Sequence, residues 1–176
     1  GLHPDGSSLV RIRVEAGRIV DVDQTGKPRA DKPYPYIAPG LFDVQINGYA
    51  SVSFNRPGLT VEKVRELSEA LWKEGVTTFF PTVITNSPKL IIRNLTVLAR
   101  AVEDPLLDHT MPGFFIEGPY ISPDDGFRGA HNKEWVREPN CEEFSRFIEA
   151  ADGRIIQIGL APEKKEAMAF IRRAVA

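Results

Sequence analysis

From Leu41 onward, short apolar runs and helical patterns alternate four times. No other feature of the chain restricts its fold as much. A strand that alternates with a helix reaches the next strand by a crossover, and such units build a parallel sheet with right-handed connections. The first run is Leu41–Ile46. Thr60–Glu74 follows, with Val61, Val64, Leu67, Ala70 and Leu71 at helical spacing. Thr60 is a plain N-cap, because Lys63 stands where a capping box needs Glu or Gln, and Gly75 stands at the expected C-cap. Val76–Val83 is β-branched and aromatic, as a buried strand is. Ser87-Pro88 opens a second helix running to about Glu103, with proline at its first position. Gly113–Glu117 reads as a third strand, Asn140–Ala151 as a third helix, Ile155–Leu160 as a fourth strand and Pro162–Ala176 as a fourth helix.

The residues before Leu41 have another rhythm. Val10, Ile12 and Val14 share one face of a short strand, a turn at Glu15–Arg18 contains Gly17, and Ile19–Val22 completes a β-hairpin. Gln24–Pro39 carries Pro28, Pro33, Pro35 and Pro39, and proline cannot donate to a sheet ladder, so this stretch reads as connector or edge strand. The boundary falls near Pro39: residues 1–38 form a β segment and residues 39–176 the strand–helix portion.

Composition excludes several classes. With 42% hydrophobic and 26% charged residues, the chain has enough apolar surface to offset the entropy of ordering. A net charge of −2 provides no field for nucleic acid or an anionic membrane, and neither is expected as a partner. One cysteine excludes a disulfide framework and a cysteine-based zinc site. Crossing a bilayer takes about 20 consecutive apolar residues, which the sequence lacks. Gly1–Asp5 shows no signal-peptide pattern, and a cytoplasmic location is the expectation by elimination.

The candidate site residues sit at strand ends. Glu117 leaves the apolar run Phe114-Phe115-Ile116 at its C-terminal edge, where α/β folds hold their chemistry. It is either an oxygen ligand for a metal or a cap for the amides of the next loop. His131 lies in the polar loop Gly126–Asn132, fit to bind substrate or metal, and equally fit to be an idle surface group. Arg128 is a charge for phosphate or carboxylate, or a solvated surface residue. Gln45 and Asn47 share a face at the tail of the first strand, and carboxamides are poor metal ligands beside imidazole. Cys141 opens a helix without a partner base nearby in sequence, and Trp72 and Trp135 read as packing residues. His3 and His109 carry no assignment.

Three blocks in order support a family resemblance. Pro39-Gly40-Leu41-Phe42-Asp43-Val44-Gln45-Ile46-Asn47-Gly48 resembles the first barrel strand of the amidohydrolase superfamily. Gly113–Pro123 with Arg128-Gly129-Ala130-His131, then Leu160-Ala161-Pro162-Glu163, resemble its N-acetylglucosamine-6-phosphate deacetylase branch. The resemblance implies a (β/α)8 barrel preceded by part of a small β-sandwich. It also implies hydrolysis of N-acetylglucosamine 6-phosphate to glucosamine 6-phosphate and acetate. Many superfamily members place His-x-His at the end of strand one; Gln45 and Asn47 here resemble members with a single divalent metal, zinc or similar. By resemblance Glu117 is the carboxylate ligand, Gln45 touches the metal or its water, and Ala130, His131 and Asn47 face the sugar phosphate. A homodimer is expected for the full-length form. The family's two later metal histidines and its catalytic Asp have no match, so the catalytic residue is not assigned. A closed barrel takes eight units and about 250 residues. The resemblance thus implies the first half of a barrel, four βα units, inactive by itself. Two other readings remain: a cyclic amidase or deaminase, which the Gln45/Asn47 pair and the His131 loop disfavour, and a noncatalytic sugar-binding half-barrel.

Overall fold

The computed structural model describes residues 1–175. The chain divides into two compact units, Gly1–Gly40 and a second beginning at Leu41.

In the first unit β1 (Leu9–Glu15) pairs antiparallel with β2 (Arg18–Gly26). Glu15 pairs with Arg18, so two residues make the turn, and both Ala16 and Gly17 have positive φ, 48° and 74°. Two such residues give the turn whose twist matches that of the flanking strands. β2 extends through Gly26, beyond the expected end at Val22. The proline-bearing stretch after it forms no strand, only a single bridge from Tyr36 to Leu2. Val10 is buried, whereas Val14, Ile19 and Val22 are exposed.

The second unit runs β3 (Leu41–Ile46), β4 (Gly48–Tyr49), β5 (Val52–Ser53), α1 (Val61–Lys73), β6 (Val76–Ile84), α2 (Pro88–Ala101), α3 (Pro105–Thr110), β7 (Phe114–Glu117), α4 (Cys141–Ala150), β8 (Ile155–Gly159) and α5 (Ala167–Ala174). β3, β6, β7 and β8 lie side by side in that order, all parallel. The helix starts follow their caps: Thr60 Oγ1 accepts from the amide of Lys63, Ser87 Oγ from Leu90, and Asn140 Oδ1 from Glu143. Gly75 closes α1 with φ 86°.

Three local features depart from expectation. The β4–β5 hairpin and α3 were not legible as periodic runs, being two and six residues long. α5 begins at Ala167 rather than Pro162, because Lys164 and Ala167 donate three residues back, to Ala161 and Lys164, in two successive tight turns. Its expected end at Ala176 lies outside the described residues.

Helices cover one face of the sheet. Phe79 and Val83 of β6 and Phe114 and Ile116 of β7 meet Leu67 of α1, Leu95 of α2 and Phe147 of α4 in a single buried cluster. The other face is more open. Phe42 packs edge-on against Phe80 at 4.9 Å, yet it remains 54% exposed. No helix among the described residues is long and apolar enough to cross a membrane. Leu95 is fully buried between sheet and helices. Leu95→Ala is therefore expected to cost about 2–5 kcal/mol, read as a lower urea midpoint at unchanged slope.

Candidate active site

Backbone register builds the site. Glu117, the last residue of β7, pairs with Ile84 on one side and Gly159 on the other. The ladder continues one step past the strands: Thr85 N–H donates to Glu117 O at 3.0 Å and Gly118 N–H to Gly159 O at 3.1 Å. Three strands thus end level at one rim, and Gly159 adds no side chain beside the carboxylate. A cleft of roughly 550 Å³ opens there, with Asn47, Glu117, Arg128, Ala130 and His131 in its wall.

Gln45 does not line that cleft. Its neighbour Ile46 pairs with Pro81, three residues short of Ile84 along β6. The ladder also slips between Asp43 and Ile46, where the Asp43 carboxylate accepts the Gln45 amide at 2.9 Å. Asn47 lies beyond the slip and reaches the rim. Asn55 ties it there: its Nδ2 donates to Asn47 O and Thr82 O, and its Oδ1 accepts from Ile84 N–H at 2.7 Å. One carboxamide thereby bridges the diverging ends of β3 and β6.

The loop after β7 is braced twice. Gly118 has φ 84°, and a Cβ there would overlap Thr85 Oγ1, so glycine is required on both counts. Tyr120 is fully buried and its hydroxyl donates to Glu143 Oε2 at 2.9 Å. Burial, and then the adjacent carboxylate, push that hydroxyl well above its ordinary pKa, so it stays a donor. Arg137 donates from Nε to both Glu143 oxygens and from Nη1 to Asn86 O and Trp135 O. Farther along, Arg128 donates to Asp125 at 2.6 Å and to His131 O at 2.5 Å. Asp125 is held below the ordinary carboxylate range by that arginine. Arg128 is thus neither a solvated charge nor a free one; it folds the loop that presents Ala130 and His131.

His131 is not idle. Its side chain is 14% exposed, with Nδ1 2.9 Å from Thr85 Oγ1 and Nε2 3.5 Å from Glu117 Oε1. No other side chain among the described residues reaches the Glu117 carboxylate, which keeps open lone pairs toward the cleft. That suits one ligand of a metal. No cluster of three or more His, Cys, Asp or Glu side chains among the described residues suits a whole one. Sequence reasoning passed over Thr85, although it leaves β6 as Glu117 leaves β7, and the same strand-end rule would have found it. Tyr120, Arg137 and Glu143 had no such signal, since their contact joins a loop to a helix.

The model of the amidohydrolase family matches residues 36–173. The chain belongs to the amidohydrolase family. Among its relatives, the N-acetylglucosamine-6-phosphate deacetylase of Bacillus subtilis (strain 168) is 34% identical over 141 residues, 77% of this chain and 34% of that protein. The Vibrio furnissii protein of the same name is 30% identical over 77% of this chain and 33% of its own length. The crystal structure of N-acetyl-D-glucosamine-6-phosphate deacetylase from Mycobacterium smegmatis superposes with a TM-score of 0.76 at 27% identity. It is matched over 98% of this chain and 45% of that one. A mutant of that protein has been solved in complex with N-acetyl-D-glucosamine-6-phosphate. The chain spans about a third of the length of these curated relatives.

The loop brace can be tested directly. Glu143→Ala leaves the Arg137 guanidinium without its carboxylate and Tyr120 with only the Asn140 carbonyl, at 3.2 Å, to accept its hydroxyl. Breaking a buried pair from one side costs about 3–5 kcal/mol, so a large drop in the urea midpoint is expected, with Glu143→Gln losing less.

Proposed function

We propose that this chain is the N-terminal part of an N-acetylglucosamine-6-phosphate deacetylase. The observation that carries the reading is the pairing of Glu117 with His131 across 3.5 Å at the rim of the parallel sheet. In this reading the four strands are half of an eight-stranded barrel, and the first unit is part of a small β-sandwich. The exposed ring of Phe42 supports it, because a parallel sheet is stable when both faces are covered.

Amide hydrolysis needs an activated water and relief of charge on the carbonyl oxygen. A single divalent ion, when bound, supplies both by Lewis-acid polarisation and by lowering the pKa of water. Glu117 would hold it, with the remaining ligands provided from beyond this chain. Ala130 and His131 would position the sugar phosphate, His131 donating or accepting at a sugar oxygen. Asn47, tied down by Asn55, offers a carboxamide to the same space. Gln45, exposed two residues before Asn47 though outside the cleft lining, would touch the metal or its water as the resemblance implies.

Three outcomes check this reading. The natural protein carrying this chain should release acetate from N-acetylglucosamine 6-phosphate, and Glu117→Gln should lower bound metal and kcat by at least about a hundredfold, the scale of losing a group that acts on developing charge. Residues 1–176 alone should show neither tight metal nor turnover by metal analysis and acetate assay. Phe42→Ser should cost less in residues 1–176, where the ring is half-exposed, than in the longer protein, where covering the ring is worth about 1.5–3 kcal/mol. Equal effects in both would count against the half-barrel.

A further inference from the structure

We propose that Thr85 is a positioning residue whose hydroxyl donates to Nδ1 of His131 and holds that imidazole as its Nε2–H tautomer, with the N–H directed into the cleft. The role in catalysis rests on the function proposed above; the tautomer itself does not.

Thr85 is 2% exposed and one residue past β6. Its Oγ1 has two polar neighbours. Nδ1 of His131 stands at 2.9 Å and Glu117 O at 3.4 Å. Both can accept from the hydroxyl, which has a single hydrogen; the imidazole nitrogen is nearer by 0.5 Å and takes it, the 3.4 Å contact to the carbonyl being at the long limit of a hydrogen bond. The far side of the ring agrees. Nε2 stands 3.5 Å from Glu117 Oε1. In the Nδ1–H tautomer a nitrogen lone pair would face a carboxylate; in the Nε2–H tautomer an N–H does. Both ends of the ring therefore favour the same proton position. The ring's second hydrogen bond sets its tautomer, as it does for histidines that bind metals or substrates.

The threonine is held against movement. Its backbone amide is tied to Glu117 O, and Gly118 leaves the space that its hydroxyl occupies. The hydroxyl links the end of β6 to the loop of His131, while the backbone links it to the strand of Glu117. One residue thus sets the ring relative to the carboxylate. A valine there would keep shape and burial and lose only the proton donor.

The test uses the natural protein carrying this chain, labelled with 15N-histidine. Long-range proton–nitrogen correlations are recorded at a pH well above the imidazole range, about 8.5, with His131 assigned through His131→Asn. The expected wild-type pattern is a protonated Nε2. Thr85→Val should give a mixed or reversed tautomer, and Thr85→Ser should restore the wild-type pattern. Kinetics on N-acetylglucosamine 6-phosphate should show KM raised about tenfold in Thr85→Val, on the scale of one lost hydrogen bond to a binding group, with a smaller change in kcat and recovery in Thr85→Ser. A wild-type signal from protonated Nδ1, or a Thr85→Val signal identical to wild type, would overturn the proposal. If Thr85→Val does not fold, the wild-type and Thr85→Ser spectra still decide it. Absence of turnover in the wild-type protein would refute the proposed function, and the spectra would judge the tautomer independently.

Discussion

Parallel pairing of β6 with β7 and of β7 with β8 is the interaction on which the rest of the cleft depends. It sets Ile84, Glu117 and Gly159 at one height. Because the ladder runs one residue further, Thr85 and Gly118 are also fixed, by amides rather than by side chains. A backbone hydrogen bond is worth little in net terms, about 1 kcal/mol, yet a slip of one residue would turn every side chain to the opposite face. Register is protected by the apolar residues behind it. Phe79, Val83, Phe114 and Ile116 can meet the helices only when Phe115 and Glu117 face the cleft.

That burial is one-sided. The helices take one face of the sheet, while Phe42 on the other face shares its ring with Phe80 and otherwise meets solvent. The outer strands carry more exposed apolar side chains, Leu41 and Val44 on β3 and Ile156 on β8. The chain matches about a third of the length of its curated relatives. The uncovered apolar surface and the partial span are consistent with each other.

Charge in the loop is used mainly for shape. Arg137 is committed to Glu143 and two carbonyls, and Arg128 to Asp125 and His131 O. These pairs hold the long connection between β7 and α4, whose one regular piece is a single 3-10 turn at Lys133–Trp135. They leave the carboxylate of Glu117 and the imidazole of His131 facing each other in the cleft. Asn55 does similar work at the other side of the rim, where β3 and β6 separate.

Much of this was legible in the residues themselves. The bounds of β3, the caps at Thr60, Ser87 and Asn140, and the placement of Glu117 at a strand end follow from local periodicity and side-chain chemistry, which act over a few residues. The motif around Gly118 and His131 was legible as a resemblance. Other features required the folded chain. How the end of β3 is set against β6 depends on a slip in their ladder between Asp43 and Ile46, which no pattern within β3 encodes. The partners of Tyr120 lie 20 and 23 residues away, and those of His131 lie 46 residues back at Thr85 and at Glu117, the end of the strand its loop follows. Sequence determined which segments would be strands and helices, because those preferences are local. Tertiary structure decided which polar groups meet, because strand register and loop closure bring together residues that no short-range rule connects.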